Sequence, residues 1–516
     1  MDNLSNSFIP SIFILFLICF LSIGLFLKKT SKAIDYRLFL GSLPSLVRNS
    51  NHLPVWYTEV FCSLGKGSFF IDGPIFSNLK YLVTCNDKNI EYILKSDFNN
   101  FPKGPKFKQI FDPLGDGIFN VDSDAWKLQR RMAHTAFISG EFKVLLSNIS
   151  GSVVKDQLLP FLVHVAEAGS VIDLQELCSR FAFDVNMKAI FGIHANYLSI
   201  ELPSNDLAEA VAFIQEAILH RFTMPMSFWK LMRLFGIGRE GEALKALKII
   251  NAHFYEYISQ KRINLSNGVK TFDLLSSYIE SSSTQEHKTT TTASSSPKYD
   301  DKFLRDSMLS LVIAGKNALA SGLNWFLWLV SKTQIVEKKI LEELKVLMSS
   351  KTGMLFEWPC VFDSNDINGL VYLHAALCES LRLYPPIPTN SKTVLNEVVL
   401  PDGSLVKPGM KISLAFYSVA RMPWIWGEDC LEFRPERWID DDGKLKRYDS
   451  KFFPFNLGPR TCLGKDMSFT HLKAVAAAVL FNFQVQVLEG QNVRPRASIT
   501  LLMEKGLEVK IQKRVI

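Results

Sequence analysis

A ten-residue stretch near the C-terminus, residues 455–464, constrains the fold more than any other part of the sequence. Gly458 allows the backbone to turn tightly, and Gly464 lets a helix begin close to a flat ligand. Arg460 supplies a cation for a carboxylate. Cys462 lies just before a predicted helix, whose terminal N–H groups would favour a thiolate. A buried cysteine in a glycine-rich turn is the ordinary alternative, but the combined spacing of these residues favours a cysteine that acts as a ligand.

The cysteines as a set give no sign of a disulfide scaffold. They lie far apart, without the paired spacing of a disulfide framework or a zinc cluster. We therefore expect a reducing compartment, in which a functional cysteine acts alone. The eight cysteines are Cys19, Cys62, Cys85, Cys178, Cys360, Cys378, Cys430 and Cys462.

The composition indicates a large, ordered protein, and the pattern along the chain beyond residue 27 is mostly helical. The chain has 516 residues, of which 47% are hydrophobic, enough for a large core. Its net charge of +7 is scattered without a basic stripe, so we do not expect nucleic acid as a partner.

Short alternating segments predict strands at residues 68–72, 79–85, 483–487 and 507–511. We expect a mainly α fold with small β-sheets, one domain over residues 51–516, and a Ser/Thr-rich surface loop at residues 281–297.

The N-terminal region predicts a membrane anchor. Residues 8–27 carry no charge, and at about 1.5 Å per residue they can cross a hydrocarbon core of about 30 Å. A secretory signal peptide has its positive residues before the apolar run, whereas here an acidic residue precedes the run and lysines follow it. This order favours an uncleaved transmembrane helix. By the positive-inside rule, residues 1–7 form a short lumenal stub. We therefore expect a single-pass protein of the endoplasmic reticulum membrane, with a linker at residues 28–50 and a cytosolic main domain.

The C-terminal stretch resembles the haem-binding loop of the cytochrome P450 superfamily. The resemblance implies the cytochrome P450 fold, with haem b as cofactor and the Cys462 thiolate as the iron ligand. It also implies an oxidoreductase, namely a monooxygenase that uses dioxygen. The residues that match the loop are Phe455, Gly458, Arg460, Cys462 and Gly464.

Two further stretches match signatures of the same superfamily. Residues 379–382 end a predicted helix, and residues 433–438 lie between that helix and the cysteine loop. The resemblance implies that Glu379 and Arg382 pair with Arg437 to fix the core behind the haem. Residues three apart lie on one helix face, so the spacing of the first pair is suitable. Taken alone, such a pair is more often a solvent-exposed salt bridge.

The resemblance also implies contacts to the haem propionates. Trp126 and Arg130, four residues apart on one predicted helix, match a Trp and an Arg that hydrogen-bond a propionate in the family. Arg460 is a second expected propionate partner and Lys392 a third. Without the cysteine loop this evidence would be weak, because a tryptophan and an arginine on one helix commonly belong to the core and its rim.

Within the superfamily, the sequence is similar to the plant clan that hydroxylates fatty acids and alkanes. It is most like the mid-chain alkane hydroxylase group, which also contains an alkaloid-forming phenol-coupling enzyme. This resemblance implies a hydrophobic plant metabolite as substrate and NADPH–cytochrome P450 reductase as electron donor. Lys127, Arg130, Arg131 and Lys465 would contribute to a basic docking surface for that reductase. The similarity is carried by residues 100–105, 114–119, 372–376 and 426–429.

One departure from the clan concerns the long helix predicted between residues 306 and 330. The clan carries Ala-Gly-x-Asp-Thr-Thr there, whereas residues 314–319 of this chain read Ala-Gly-Lys-Asn-Ala-Leu. In the family, the acid and the alcohol are catalytic because they deliver protons while dioxygen is reduced. Asn317 cannot titrate and Ala318 cannot donate a hydrogen bond. Water on backbone carbonyls, or a substrate hydroxyl, would have to relay the proton.

Three functions remain open at this site. The first is a monooxygenase whose protons come from water or substrate. The second is a haem-thiolate enzyme that couples, rearranges or dehydrates its substrate without net oxygen insertion. The third is a haem-binding protein with little activity. Product analysis separates them, because only the first consumes NADPH and dioxygen to give an oxygenated product.

The predicted substrate pocket follows from the topology of the clan and not from a local signal. We expect it to be apolar, although each residue taken singly would more often belong to ordinary core. The predicted lining residues are Ile118, Phe119, Phe213, Leu309, Ile313, Ala314, Thr389 and Thr500.

Overall fold

The structure of the protein is a computed structural model, which describes residues 28–30, 34–37, 41–74, 80–269, 272–284, 299–349, 358–448 and 450–515. The chain divides into two compact units. The smaller unit comprises Met1–Pro102 and Thr389–Gly427, and the larger unit comprises Lys103–Pro388 and Glu428–Ile516. The range 51–516, predicted as one domain, is shared between the two.

Helices make up most of the regular structure. In chain order they are α1 (Leu43–Arg48), α2 (Leu53–Leu64), α3 (Asp87–Glu91), α4 (Pro105–Ile110), α5 (Ser123–Ile138), α6 (Gly140–Val153), α7 (Leu159–Ala168), α8 (Leu174–Phe191), α9 (Asp206–Thr223), α10 (Met226–Phe235), α11 (Gly238–Ser266), α12 (Leu274–Thr284), α13 (Asp301–Lys332), α14 (Gln334–Ser349), α15 (Ser364–Asn368), α16 (Val371–Leu383), α17 (Phe416–Val419), α18 (Pro423–Trp426) and α19 (Lys465–Asn482).

The strands are short. In chain order they are β1 (Lys28–Thr30), β2 (Asp35–Arg37), β3 (Ser68–Asp72), β4 (Lys80–Thr84), β5 (Val171–Asp173), β6 (Asn390–Thr393), β7 (Val398–Val399), β8 (Leu405–Val406), β9 (Lys411–Leu414), β10 (Phe483–Val487), β11 (Pro495–Ala497), β12 (Leu501–Met503) and β13 (Glu508–Lys513).

The smaller unit contains a mixed sheet of four strands in the order β3-β4-β9-β6. β3 and β4 are antiparallel, with Phe69 opposite Val83, and β9 runs parallel to β4. Phe69 and Ile71 are buried while Phe70 between them is exposed, so β3 has the alternating burial expected of a half-buried strand. The pairs β1-β2 and β7-β8 form separate two-stranded sheets.

The larger unit is organised around two long helices, α13 and α19. α13 has 32 residues and is mostly buried, and α19 buries nearly all of its residues from Phe469 onward. Asp300 caps α13, because its carboxylate accepts a hydrogen bond from the N–H of Phe303 at 2.8 Å. α13 packs against α8, α16 and α19. The sheets β10-β13-β5 and β11-β12 belong to this unit.

The predicted class, mainly α with small β-sheets, is confirmed. The strands expected at residues 68–72 and 483–487 are β3 and β10, and the other two predicted strands correspond to β4 and β13 with shifted ends. The linker predicted at residues 28–50 contains β1, β2 and α1. The predicted anchor at residues 8–27 lies outside the described residues. Within the described part of the chain, no helix combines the length and the apolar character that a membrane span requires.

The loop predicted at residues 281–297 begins later than expected. α12 continues to Thr284, so the first residues of the predicted loop are helical. The hydroxyl of Ser281 donates to the carbonyl of Ser277 at 2.7 Å, which is a serine contact that is compatible with a helix. Residues 285–297 lie outside the described part of the chain.

Candidate active site

The cysteine loop is a tight turn that brings Cys462 to the start of α19. Residues Gly458–Arg460 form a turn of 3-10 helix, which Gly458 enters with a φ of 69°, a conformation that favours glycine. The N–H of Cys462 donates to the carbonyl of Phe455 at 2.8 Å and closes the loop. A Cβ added at Gly464 would lie 4.0 Å from the sulfur of Cys462. Glycine therefore leaves this side of the sulfur uncovered.

Cys462 is an exposed residue, although protein atoms surround its thiol closely. This burial raises the pKa of the thiol. The N–H of Gly464 and the charges of Arg130 and Lys465 act in the opposite direction and favour the thiolate. A cation bound to the sulfur would complete the stabilisation of the thiolate. Among the described cysteines, Cys62 is also exposed, whereas Cys85, Cys178, Cys360, Cys378 and Cys430 are buried.

A cationic cluster lies beside the loop. The guanidinium of Arg460 stacks over the ring of Trp126 at 4.7 Å from its centroid. It donates to the carbonyl of Val121 at 2.7 Å and to the carboxylate of Asp122 at 2.8 Å, with only 9% of the Arg460 side chain exposed. Burial lowers the pKa of Arg460 to about 10, an effect that Asp122 opposes and the neighbouring Arg130 increases. The Arg460 Nε is buried without a hydrogen bond among the described residues, so the cluster can accept a further anion.

Two predicted site residues belong to the smaller unit. Lys392 lies on β6 with 1% of its surface exposed, and its Nζ is 5.2 Å from the centroid of the Phe98 ring. Thr389 precedes the same strand and is half-buried. The propionate contact of Lys392 and the pocket role of Thr389 stay predictions.

Glu379 is the centre of a buried ion-pair network. Arg382 binds its carboxylate in a bidentate way, with both N–O distances at 2.8 Å. Arg437 approaches the same carboxylate at 3.3 Å. The indole N–H of Trp438 also donates to it, at 2.8 Å. The structure thus brings the three predicted residues together, and it adds Trp438, for which the sequence gives no role.

α13 has one accessible face near its middle. Leu311, Ala314, Gly315 and Ala318 are half-buried in a stretch that is otherwise mostly buried. Counted from Leu311, these positions follow at three, four and seven residues, so they share one face of the helix. Asn317, next to this face, is also half-buried. Of the two catalytic positions predicted from the sequence, Ala318 belongs to the accessible face and Asn317 lies next to it.

The side chain of Asn317 is bound by a residue that the sequence analysis does not include in the site. The Nδ2 of Asn317 donates to the Oε1 of Gln215 on α9 at 2.7 Å. The Nε2 of Gln215 donates to the backbone carbonyl of Ile313 at 3.4 Å. Asn317 and Gln215 do not ionise, and Ala318 has no polar side-chain atom. These positions therefore hold no acid.

Two other residues of this turn hold α13 against its neighbours. The Nζ of Lys316 donates to the carbonyl of Ala208 on α9 at 3.1 Å and lies 5.6 Å from the centroid of the Phe183 ring. Burial lowers the pKa of Lys316 to about 8. Gly315 makes room for Asn186 on α8, because a Cβ at this glycine would overlap the side-chain amide. Both residues therefore serve the packing of α13.

The loop that carries Ile118 and Phe119 is anchored to α13 by a buried carboxylate. The Oδ2 of Asp306 accepts a hydrogen bond from the N–H of Asp116 at 2.9 Å. Gly115 has a φ of 57°, and a Cβ there would overlap the Asp306 carboxylate. The close approach of the loop to α13 therefore depends on glycine at this position.

The predicted pocket residues of the larger unit differ in accessibility. Those that remain accessible can line a pocket directly, whereas the lining role of the buried ones stays a prediction. Ile118, Phe119, Phe213 and Ala314 are exposed or half-buried, and Leu309, Ile313 and Thr500 are buried.

A comparison with protein families supplies the deciding observation. The family model described as Cytochrome P450 matches residues 46–511. The chain belongs to the cytochrome P450 family. It is therefore an oxidoreductase that uses haem b, with a cysteine thiolate as the iron ligand.

Plant P450 proteins are similar to this chain over nearly their full length. Alkane hydroxylase MAH1 from Arabidopsis thaliana is 37% identical, over 98% of this chain and 98% of its own. Cytochrome P450 86B1 from the same plant is 36% identical, over 96% of this chain and 89% of its own. Noroxomaritidine synthase 2 from Narcissus pseudonarcissus is 34% identical, over 96% of this chain and 95% of its own. These findings confirm the resemblance to the plant alkane hydroxylase group.

A solved structure supports the P450 fold. The cytochrome P450DA heme domain superimposes with a TM-score of 0.75 and covers 95% of this chain and 97% of its own, at 17% identity. The predicted cytochrome P450 fold is confirmed, whereas the predicted transmembrane helix stays a prediction.

The residues of the larger unit fit a haem group. Cys462 is an exposed residue whose thiolate would bind iron. Asp122 partly neutralises Arg460, which also lies near the cation of Arg130, and the buried Nε of Arg460 is without a hydrogen bond in the described chain. A propionate is an anion with the oxygen acceptors that this cluster needs.

Proposed function

We propose that the protein is a membrane-anchored haem-thiolate monooxygenase that oxidises a hydrophobic plant metabolite. The oxygen atom comes from O2, and the electrons come from NADPH through NADPH–cytochrome P450 reductase. The proposal rests mainly on the exposed residue Cys462 just before α19, together with the incompletely bonded guanidinium of Arg460 in the same loop. A fatty acid, an alkane or a specialised metabolite such as an alkaloid is the expected substrate class. The relative named alkane hydroxylase supports the alkane class.

Three residues of the cysteine loop have a role in this proposal. The bound haem supplies the oxidising chemistry, and its thiolate ligand increases electron density at iron. Cys462 is that ligand, and the carbonyl of Phe455 fixes the backbone of Cys462 through its hydrogen bond. Arg460 binds a propionate with Trp126 and Arg130 beside it.

The accessible face of α13 would orient water or substrate and not supply a proton itself. Asn317 does not titrate and Ala318 has no hydroxyl. A water molecule held by backbone carbonyls of this turn, or a hydroxyl of the substrate, would therefore supply protons. The apolar side chains of Ile118, Phe119 and Phe213 would exclude bulk water from the substrate.

A second function is favoured by the same altered positions. Oxidative coupling inserts no oxygen but still takes up protons as dioxygen is reduced to water, whereas an enzyme that rearranges or dehydrates its substrate without reducing dioxygen needs no such proton delivery. Such an enzyme would keep the thiolate-bound haem and the apolar pocket but would tolerate Asn317 and Ala318. A relative of similar identity is named a synthase and not a hydroxylase.

Two features support attachment to the endoplasmic reticulum membrane with a cytosolic catalytic domain. Residues 8–27 form an uncharged apolar run of sufficient length to span a bilayer. α10 presents large apolar side chains to solvent, which would enter the lipid surface. These side chains are Phe228, Leu231, Leu234 and Phe235, between 48% and 78% exposed.

Product analysis with isotopically labelled dioxygen tests the proposal. Microsomes that carry the protein and the reductase are given NADPH and a plant metabolite extract, and the products are identified by mass spectrometry. We expect products that contain the label and that require both NADPH and dioxygen. A coupled product that needs both but carries no label would instead support oxidative coupling. Turnover without either would overturn the monooxygenase and support a redox-neutral rearrangement or dehydration.

A further inference from the structure

One buried glutamine, Gln215 on α9, makes two hydrogen bonds to the turn of α13 that carries Asn317. Gln215 is 1% exposed, and both the oxygen and the nitrogen of its side-chain amide bind this turn. Its Oε1 accepts from the Nδ2 of Asn317 at 2.7 Å, and its Nε2 donates to the carbonyl of Ile313 at 3.4 Å. In an α-helix the carbonyl of residue 313 is also the partner of the N–H of residue 317. Gln215 therefore binds both ends of one helical turn.

The chemistry of the three groups fixes the direction of these bonds. The carbonyl of Ile313 is an acceptor only, so Gln215 must turn its N–H group toward it. The oxygen of Gln215 then faces Asn317 and requires a donor there. Asn317 must accordingly turn its N–H group toward α9, and its Oδ1 away from Gln215. The opposite orientation would bring two acceptors together at a buried site, which is unfavourable.

The Oδ1 of Asn317 is thereby left as an acceptor at the accessible face of α13. No hydrogen bond to this oxygen is found among the described residues. Asn317 is half-buried, and the neighbouring Ala314 and Ala318 on the accessible face are small. Alanine at 318 adds no competing donor and leaves space next to the amide. The site is thus an apolar surface with one oriented hydrogen-bond acceptor.

We propose that Gln215 is a positioning residue that makes Asn317 an acceptor for a hydroxyl group of the substrate. The preferred substrate is then a hydrophobic molecule that carries a hydroxyl, and not a plain hydrocarbon. This inference rests on the proposed function and names its substrate class. Asn317 touches the substrate, whereas Gln215 acts only through Asn317.

The test measures binding of two probes that differ by one hydroxyl, 4-butylphenol and butylbenzene. Each is titrated into the haem-loaded full-length protein, and its dissociation constant is obtained from the blue shift of the haem Soret band. The quantity compared between variants is the ratio of the two constants, which removes the general difference in hydrophobicity. The titrations use neither NADPH nor dioxygen. A failure of turnover would therefore overturn the proposed function and leave this test intact.

In Asn317→Ala, we expect the affinity for 4-butylphenol to fall about three- to ten-fold relative to the affinity for butylbenzene, because one net hydrogen bond is lost. Gln215→Met is expected to give a similar shift, and the double variant is expected to add nothing, since both changes remove the same interaction. Gln215→Glu, whose buried carboxyl group would be protonated, keeps an acceptor for the N–H of Asn317 and a donor for the carbonyl of Ile313, and it should retain the ratio of the unmodified protein. It tests positioning even where Gln215→Met fails to bind haem.

Lys316→Met is the matched control, because it removes another buried hydrogen bond between α13 and α9, one in which neither Asn317 nor Gln215 takes part. It should leave the ratio within about two-fold of the unmodified protein, well below the effect of one hydrogen bond. The inference would be overturned by an unchanged ratio in Asn317→Ala, by additive shifts in the double variant, or by an equal shift in Lys316→Met. A red shift with 4-butylphenol would also overturn it, because the hydroxyl would then bind iron directly.

Discussion

Replacing Arg382 by alanine is expected to destabilise the larger unit by about 3 to 5 kcal/mol, because it removes the main partner of a buried carboxylate. Glu379 is 0% exposed and accepts two hydrogen bonds from Arg382. The variant leaves only Trp438 and the more distant Arg437 to compensate the charge among the side chains described around it. The carbonyl of Cys430 also loses the donor that Arg382 provides at 2.9 Å. Typical unfolding free energies are about 5 to 15 kcal/mol, so we expect mostly insoluble or haem-free protein.

Soluble yield, haem content and the midpoint of thermal unfolding measure this effect. Arg434→Ala is the matched control, because it removes an arginine whose partner Asp429 lies near the surface. The two side chains are 56% and 27% exposed, and we expect a loss below about 1 kcal/mol. Normal haem content and an unchanged midpoint in Arg382→Ala would refute the role of the buried network.

Three further variants test other features. Gly315→Ala should lower the unfolding free energy by about 1 to 3 kcal/mol, because the new methyl group overlaps Asn186. Adding Asn186→Ala to this variant should recover part of the lost stability. An unchanged denaturant midpoint in Gly315→Ala would contradict the overlap. Burial lowers the pKa of Lys316 from 10.5 to about 8, so the unfolded state binds more protons between these values and the unfolding free energy should rise with pH there. Lys316→Met should not show this rise. Equal slopes of unfolding free energy against pH in the two proteins would contradict the lowered pKa of Lys316. Deleting residues 1–27 should release only part of the protein from membranes, since α10 still binds lipid. Adding Leu234→Asp to the deletion should release the rest. If the deletion alone releases all of the protein, α10 does not bind lipid.

Features with local signals could be predicted from the sequence. β3 alternates in burial at every residue, and the glycine-rich turn before α19 contains its own hydrogen bond between Phe455 and Cys462. The pairing of Glu379 with Arg382 follows from a spacing of three residues on one helix. The start of the Ser/Thr-rich loop could not be located, because Ser281 satisfies its hydroxyl on the helix and continues α12.

Long-range partners could not be predicted in the same way. Gln215 and Asn317 are 102 residues apart, and Asp122 and Arg460 are 338 apart. Such pairs depend on how helices and loops pack, and no periodicity along the chain encodes them. The altered residues at positions 317 and 318 could be read directly, but the orientation of the Asn317 amide required the position of α9.

The assignment of Cys462 as the haem ligand is tested most directly by the carbon monoxide spectrum of the reduced protein. The unmodified protein should give the red-shifted absorption band of a thiolate-bound haem. Cys62→Ala, which removes the other exposed cysteine among those described, should keep this band. We predict that Cys462→Ala lacks it, and a red-shifted band that persists in Cys462→Ala would contradict the assignment.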